Sequence, residues 1–358
     1  MQFGSDNQTG ASLQVLEKLV QANNGFTHGY GDDEWCQQAE KDLEIFFGCP
    51  LKVYFVATGT AANSLAISCI MDPWEIILCH HQAHIYQDES TAPEFFTGGG
   101  RITPVSRNAG KITVGHLENY FRHMGNEPPH TPRTAALSIT QTSEAGQVYT
   151  PRELAGLCSF SHDHEMDVHM DGARFATAVA SLDCSPADIT WKSGVDVLSL
   201  GATKCGALAA EAVVFFKPEI AETFVHRRKR SGHLVSKGRL FGAQFVGWLK
   251  NDHWLELARH ANGQARRLVE KLARFSAITL QWPCAANELF LTMPAKLSTL
   301  LHDKGAEFYE WPHHGLPAGV ELSEDEVFVR LVTSFVTSDE HIDQFCELIN
   351  EFFTTGVK

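Results

Sequence analysis

Short apolar runs alternate with helix-period segments over the first two-thirds of this chain. "LKVYFV" precedes "TAANSLAISCIM", "TAALSIT" precedes "PRELAGLCSFS", "MDVHM" precedes "ARFATAVASL", and "VDVLSL" and "AEAVVFF" close the series. A strand followed by a helix rejoins its own sheet only by a crossover, so the repetition predicts an α/β fold with a mainly parallel sheet and helices on both faces. Ligands in such sheets sit beyond the carboxyl ends of the strands. The residues just after each apolar run are therefore where function should be sought.

From about residue 239 the pattern changes. "RLFGAQFVGWLKNDHWLELARHANGQARRLVEKLARF" reads as one long helical stretch. It is followed by short strands ("AITLQW", "NELFLTM", "FVRLVTSFV") and a closing helix, "DEHIDQFCELINEFF". The expected division is a large α/β domain over 1–245 and a smaller α+β domain over 246–358. A length of 358 residues suits one large and one small unit.

Charge and cysteine usage narrow the partners. A net charge of −14 argues against a general nucleic-acid binder or an anionic-membrane binder. Nine cysteines, scattered from Cys36 to Cys346 without a CxxC pair, read as reduced thiols. The opening "MQFGSDNQTG" lacks a basic-then-apolar leader pattern, and no apolar run reaches membrane-spanning length. The expected location is cytoplasmic.

Several strand ends carry unusual chemistry. Thr58, Gly59 and Thr60 follow "LKVYFV" and open a helix whose free N–H groups and positive dipole end suit a phosphate. An ordinary helix cap is the alternative, and the P-loop spacing is absent. Lys204 lies among small residues after "VDVLSL", where desolvation would lower its pKa and make its amine nucleophilic towards an aldehyde. A lysine snorkelling from a loop is the alternative there. "VHMDGARF" sets Asp171 and Arg174 on a short turn after another strand. Lysine paired with an acid on the preceding strand end is the combination that pyridoxal phosphate requires. At about 4 Å such an ion pair gains roughly 4 kcal/mol before desolvation, at an effective dielectric of about 20.

Two further groups invite other readings. His80 and His84 have i, i+4 spacing, and His162, His164 and His169 cluster before Asp171. Neither group has a zinc-site spacing, and no metal is expected. The basic run "HRRKRSGH" reads as a solvated helix end.

"GSDNQTG", "YGDD", "TGTAAN", "AHIYQDE", "HMDGARF" and the Lys204 segment together resemble the low-specificity L-threonine aldolases, which have the aspartate-aminotransferase-like fold type I. The likeness runs from residue 4 to "VRLVTSF". It implies pyridoxal 5'-phosphate as cofactor and cleavage of L-threonine or L-allo-threonine to glycine and acetaldehyde. An aminotransferase or β-eliminating lyase acting on amino acids is the alternative.

The resemblance also assigns roles. Lys204 would be the Schiff-base lysine, Asp171 the partner of the pyridine nitrogen, and His84 the residue stacked on the ring. Gly59 and Thr60 would bind the phosphate, with Lys229 reaching it partly across a subunit interface. Tyr30 in "YGDD" could come from a neighbouring subunit. Ser5, Arg330 and Arg174, the last also beside the cofactor, would take the substrate carboxylate. His130 would stand near the β-hydroxyl, and His84, or a water held by His84 and His130, would be the base. A homotetramer with active sites at subunit interfaces is implied, with a small amino acid as the only other partner. Three segments depart from the family pattern: "SDN" replaces "SDT", "ATKCGAL" replaces "SKGLGAP", and "TQTSEAG" replaces "ENTHN".

Overall fold

The computed structural model describes residues 1–125 and 127–355. Seven strands form the main sheet: β1 (Lys52–Val56), β2 (Ile76–Cys79), β3 (Arg101–Pro104), β4 (Thr134–Thr140), β5 (Asp167–Gly172), β6 (Val197–Gly201) and β7 (Glu211–Phe215). Their order is β1-β7-β6-β5-β4-β2-β3. Only β7 runs against its neighbours. The parallel sheet expected from the alternating pattern is present, and β3 is an edge strand that "RITP" is too short and too polar to reveal.

Strand parity explains the two faces. Leu137, Ile139, Val168, Met170, Leu198 and Leu200 turn into one apolar cluster. Ala136, Val197, Val213 and Phe215 turn into another, against the helix Gly59–Ile70. On this second face the positions nearest the carboxyl ends are polar: Ser138 and Thr140 on β4, His169 and Asp171 on β5, Ser199 on β6. In register, Ser138 stands opposite His169 and Asp171 opposite Ser199. Alternation with period two is what brings these residues to one side.

His169 is fully buried, with its ring nitrogens 2.9 Å from Ser138 Oγ and 2.9 Å from Ser199 Oγ. Burial pulls its pKa down to about 4 from the usual 6.5. Protonation is thus favoured in the unfolded chain, and stability present above pH 6.5 is lost as pH falls towards 4. The loss from this residue is about 3 kcal/mol at 1.36 kcal/mol per unit. Denaturant midpoints at pH 7 and pH 4.5 should show a smaller acid loss in His169→Gln than in the unaltered protein.

A second sheet, ordered β10-β11-β9-β8, comprises β8 (Thr279–Leu280), β9 (Glu288–Pro294), β10 (Tyr309–Glu310) and β11 (Glu326–Val332). It is antiparallel and encloses a core with the helix Asp339–Thr355. Phe3 is buried in this core, because Phe3 N–H donates to Glu307 O at 2.7 Å.

The long helical stretch is two helices, Arg239–Leu249 and His253–Leu272. The break falls at Asn251 (φ 57°) and Asp252 (φ 54°), residue types that tolerate the left-handed region. The first helix packs Phe241, Phe245 and Trp248 on the main core, and the second continues into the small one.

Candidate active site

A cavity of about 780 Å³ lies beyond the carboxyl ends of β4, β5 and β6, with β9–β11 as its far wall. Lys204, Asp171, Arg174, His84, Gly59, Thr60, Ser5 and Arg330 all line it. Residues more than 300 positions apart thus meet in one place.

Asp171 is buried at the end of β5. Its Oδ2 accepts from Asn63 Nδ2 at 2.9 Å, and its Oδ1 from the Ala173 N–H at 3.0 Å. The direct ion pair with Lys204 expected from the sequence is not formed. Among the described residues no carboxylate oxygen lies within 4.0 Å of Lys204 Nζ. Both groups line the cavity.

Lys204 sits in the 3₁₀ turn Thr203–Cys205 just after β6. Burial lowers its pKa, and Arg174 lowers it further, against the pull of Asp6, Asp171 and Glu288. Two glycines make the turn possible. Gly206 has φ 101°, and a Cβ there would meet Leu257 Cδ1 at 2.5 Å. A Cβ on Gly201 would lie 2.8 Å from the Ala173 backbone. Only glycine lets the ends of β5 and β6 approach so closely.

The arginines are held by a dense set of partners. Arg174 donates from Nε and Nη2 to the two oxygens of Asp6, at 2.8 and 2.9 Å. Burial alone would raise the pKa of Asp6, but Arg174 and Lys204 outweigh it and hold the carboxyl low. Arg330 donates from Nη2 to Gly4 O at 3.2 Å and lies over the Trp311 ring at 4.1 Å. Ser5 caps the adjoining turn, its Oγ accepting from the Asn7 N–H at 3.1 Å.

His84 begins a short helix, and its Nδ1 is 2.8 Å from Glu89 Oε1. That hydrogen bond raises the His84 pKa despite burial. Asn63 Nδ2 donates to the same Glu89 oxygen at 2.8 Å as well as to Asp171. A chain of contacts therefore runs His84–Glu89–Asn63–Asp171.

The helix Gly59–Ile70 points its start at the cavity. Thr58 Oγ1 accepts from the Ala61 N–H at 3.2 Å, and the first intrahelical bond is Ala62 N–H to Thr58 O. The N–H groups of Gly59 and Thr60 precede that bond. A Cβ on Gly59 would meet nothing within 4 Å, so open space lies above these donors.

Two residues named from the sequence lie outside this chain's own cavity. His130 is exposed on the turn before β4. That is the amino end of a strand whose carboxyl end reaches the cavity, about 20 Å away over seven residues. Lys229 is also exposed and outside the cavity, with its Nζ 5.1 Å from the Tyr30 ring centroid.

The other histidines have ordinary partners. His162 pairs with Asp196 at 2.9 Å, His164 stacks on Phe160, and His80 Nε2 lies 2.7 Å from Ala109 O. Among the described residues no group of three or more His, Cys, Asp or Glu could hold a metal ion. No helix among them is long and apolar enough to cross a membrane, and the nine cysteines are free.

Sequence reasoning missed Asp6, Asn63, Glu89 and Glu288. Asp6 and Glu89 stood inside the quoted motifs "GSDNQTG" and "AHIYQDE". Asn63 likewise closed the quoted motif "TGTAAN", and nothing local marked Glu288.

Fold and site together define the fold-type I class of pyridoxal enzymes: a mainly parallel sheet with a buried lysine and an acid at its carboxyl edge. Residues 2–294 match the family model described as beta-eliminating lyase. The low specificity L-threonine aldolase of Pseudomonas aeruginosa is 37% identical over 314 residues, 88% of this chain and 90% of that one. That of Saccharomyces cerevisiae is 23% identical over 81% of this chain and 73% of its own. The Leishmania major threonine aldolase structure superposes with a TM-score of 0.90 at 28% identity, covering 98% of this chain and 99% of that one. Sphingomonas wittichii serine palmitoyltransferase, at 16% identity and a TM-score of 0.71, shares the fold over 100% of this chain and 88% of its own. The chain belongs to the beta-eliminating lyase family, within its low-specificity L-threonine aldolase branch.

Proposed function

We propose that this chain is a pyridoxal-phosphate-dependent aldehyde-lyase that cleaves β-hydroxy-α-amino acids, L-threonine and L-allo-threonine among them, to glycine and an aldehyde. The observation that carries the reading is one cavity holding Lys204, Asp171 and two arginines at the carboxyl ends of the strands. The relatives' names agree with it.

The residues fit the cofactor. The amide donors of Gly59 and Thr60, with open space above them, suit its phosphate. A lysine kept towards its neutral form suits its aldehyde, and a buried carboxylate suits its ring nitrogen. Bound there, the cofactor supplies an electron sink for negative charge at the Cα of the amino acid.

The chain's own groups then divide the work. Lys204 holds the cofactor through its ε-amine. Asp171 keeps a proton on the ring nitrogen. Ser5, Arg174 and Arg330 bind the α-carboxylate, and this orientation decides which bond at Cα lies across the ring. His84 takes the β-hydroxyl proton, and Glu89 fixes the imidazole tautomer and angle. Removing Glu89's negative charge in Glu89→Gln should lower the His84 pKa. The acidic limb of the kcat/KM profile should then move to lower pH, and its plateau should fall about tenfold. An unmoved limb would take His84 out of the proton transfer.

The finer parts of the reading are a homotetramer with sites at subunit interfaces, and a cytoplasmic location. The exposed Tyr30–Lys229 pair outside its own cavity supports the interface. The family description leaves β-elimination as the second reading. Product analysis with L-threonine decides: glycine and acetaldehyde mark the aldolase, ammonia and 2-oxobutanoate the eliminating lyase.

A further inference from the structure

Glu288 opens β9 and enters the cavity from the small sheet, with no part in the steps above. In the β9–β11 register Arg330 stands opposite Phe290, and Glu288 opposite Val332. Glu288 is therefore the diagonal neighbour of Arg330 on one face. Its Oε1 is 3.3 Å from Arg174 Nη1 and 3.7 Å from Arg330 Nη1. Thr142 Oγ1 donates to its Oε2 at 3.4 Å, and the side chain is 4% exposed.

Arg174 is otherwise committed, and Arg330 only in part, since its buried Nε has no hydrogen-bond partner. Asp6 takes the Nε–Nη2 edge of Arg174, and Gly4 O takes Nη2 of Arg330. Nη1 of each guanidinium faces the same oxygen of Glu288. Two cations and two carboxylates already balance, so a third carboxylate arrives at a neutral cluster. To engage both Nη1 groups it must share or displace Glu288, and Arg330 Nε is a further donor without a partner.

We propose that Glu288 is an internal stand-in for the substrate's α-carboxylate. It occupies Nη1 of Arg174 and of Arg330 in the free enzyme and gives up at least one contact when an amino acid binds. The inference rests on the reading that these arginines receive that carboxylate. Glu288 keeps two largely buried guanidinia paired while the site is empty, which matters because an unpaired buried charge is strongly destabilising. The same contact makes every amino acid compete with a tethered carboxylate at high effective concentration. Glu288 thus sets affinity.

The test compares holoenzyme carrying Glu288, Glu288→Gln and Glu288→Met. Glycine affinity is measured by calorimetry, and KM and kcat with L-threonine. In Glu288→Gln glycine should bind at least fivefold tighter, and KM should fall by a larger factor than any change in kcat. The amino alcohol 1-aminopropan-2-ol, which lacks the carboxylate, should bind with affinity unchanged within twofold. Glycine affinity that weakens or stays the same overturns the proposal and makes Glu288 a support for the arginines. If the variants do not fold, a structure of the unaltered holoenzyme with glycine serves instead. Glu288 Oε1 should then lie beyond 4 Å from at least one Nη1, and both contacts retained beside bound glycine overturn the idea. Should no aldehyde form while glycine tightens in Glu288→Gln, the aldolase reading fails and this inference stands.

Discussion

Holoenzyme carrying Lys204→Ala should lose its visible cofactor band and at least about a thousandfold in kcat, roughly 4 kcal/mol of barrier. The position explains the size of the effect. Gly201 lets the end of β6 close on Ala173, and Gly206 in the left-handed region turns the chain back, so the lysine is presented to the cavity from a tight frame. Burial and Arg174 lower its pKa, which favours the unprotonated, nucleophilic amine. The fold should survive the substitution. Among the described residues the ammonium makes no ion pair within 4.0 Å and no hydrogen bond, so no partner is orphaned. Lys204→Arg separates charge from nucleophilicity: it keeps the cation and should be as inactive as alanine. A Lys204→Ala preparation that stays coloured and still cleaves L-threonine would end the pyridoxal reading.

What the sequence made legible follows from range. A short apolar run is a local property, and such runs placed Asp171 at a strand end and Lys204 just beyond another without any knowledge of the fold. The break at Asn251–Asp252 was hidden because both residues also suit a helix surface. The network around the arginines was hidden for a different reason. Asp6 meets Asn287 across 281 positions, with Asn287 Nδ2 donating to Asp6 Oδ2 at 3.0 Å. No periodicity in either segment encodes that meeting. His130 lies outside this chain's own cavity. Its motif matched, but the direction of β4 carries the chain from His130 towards the cavity, leaving the histidine at the far end of its own strand.

Asp171→Asn should retain the cofactor and lower kcat by about a hundredfold, close to 2.7 kcal/mol. The carboxylate's role is to hold a proton on the ring nitrogen, which requires negative charge at that point, and an amide of the same shape supplies none. Geometry adds a second effect. Asp171 now accepts from two donors, Asn63 Nδ2 and the Ala173 N–H. An amide has one oxygen, so it can satisfy only one of them and must turn its NH₂ towards the other. Leaving a buried donor unpaired costs about 1–3 kcal/mol, so some stability should go as well. The two effects are separable because Asn63 touches Glu89 and Asp171 but does not reach the ring itself in the proposed arrangement. Asn63→Ala removes the hydrogen bonds to Asp171 and to Glu89 and leaves the charge of Asp171. It should therefore match the stability loss of Asp171→Asn while keeping most of the turnover. If Asp171→Asn fell less than about tenfold in kcat, roughly 1.4 kcal/mol, the charge would not be what the reaction uses. Asp171 would then be no more than the anchor that ties the end of β5 to the helix Gly59–Ile70.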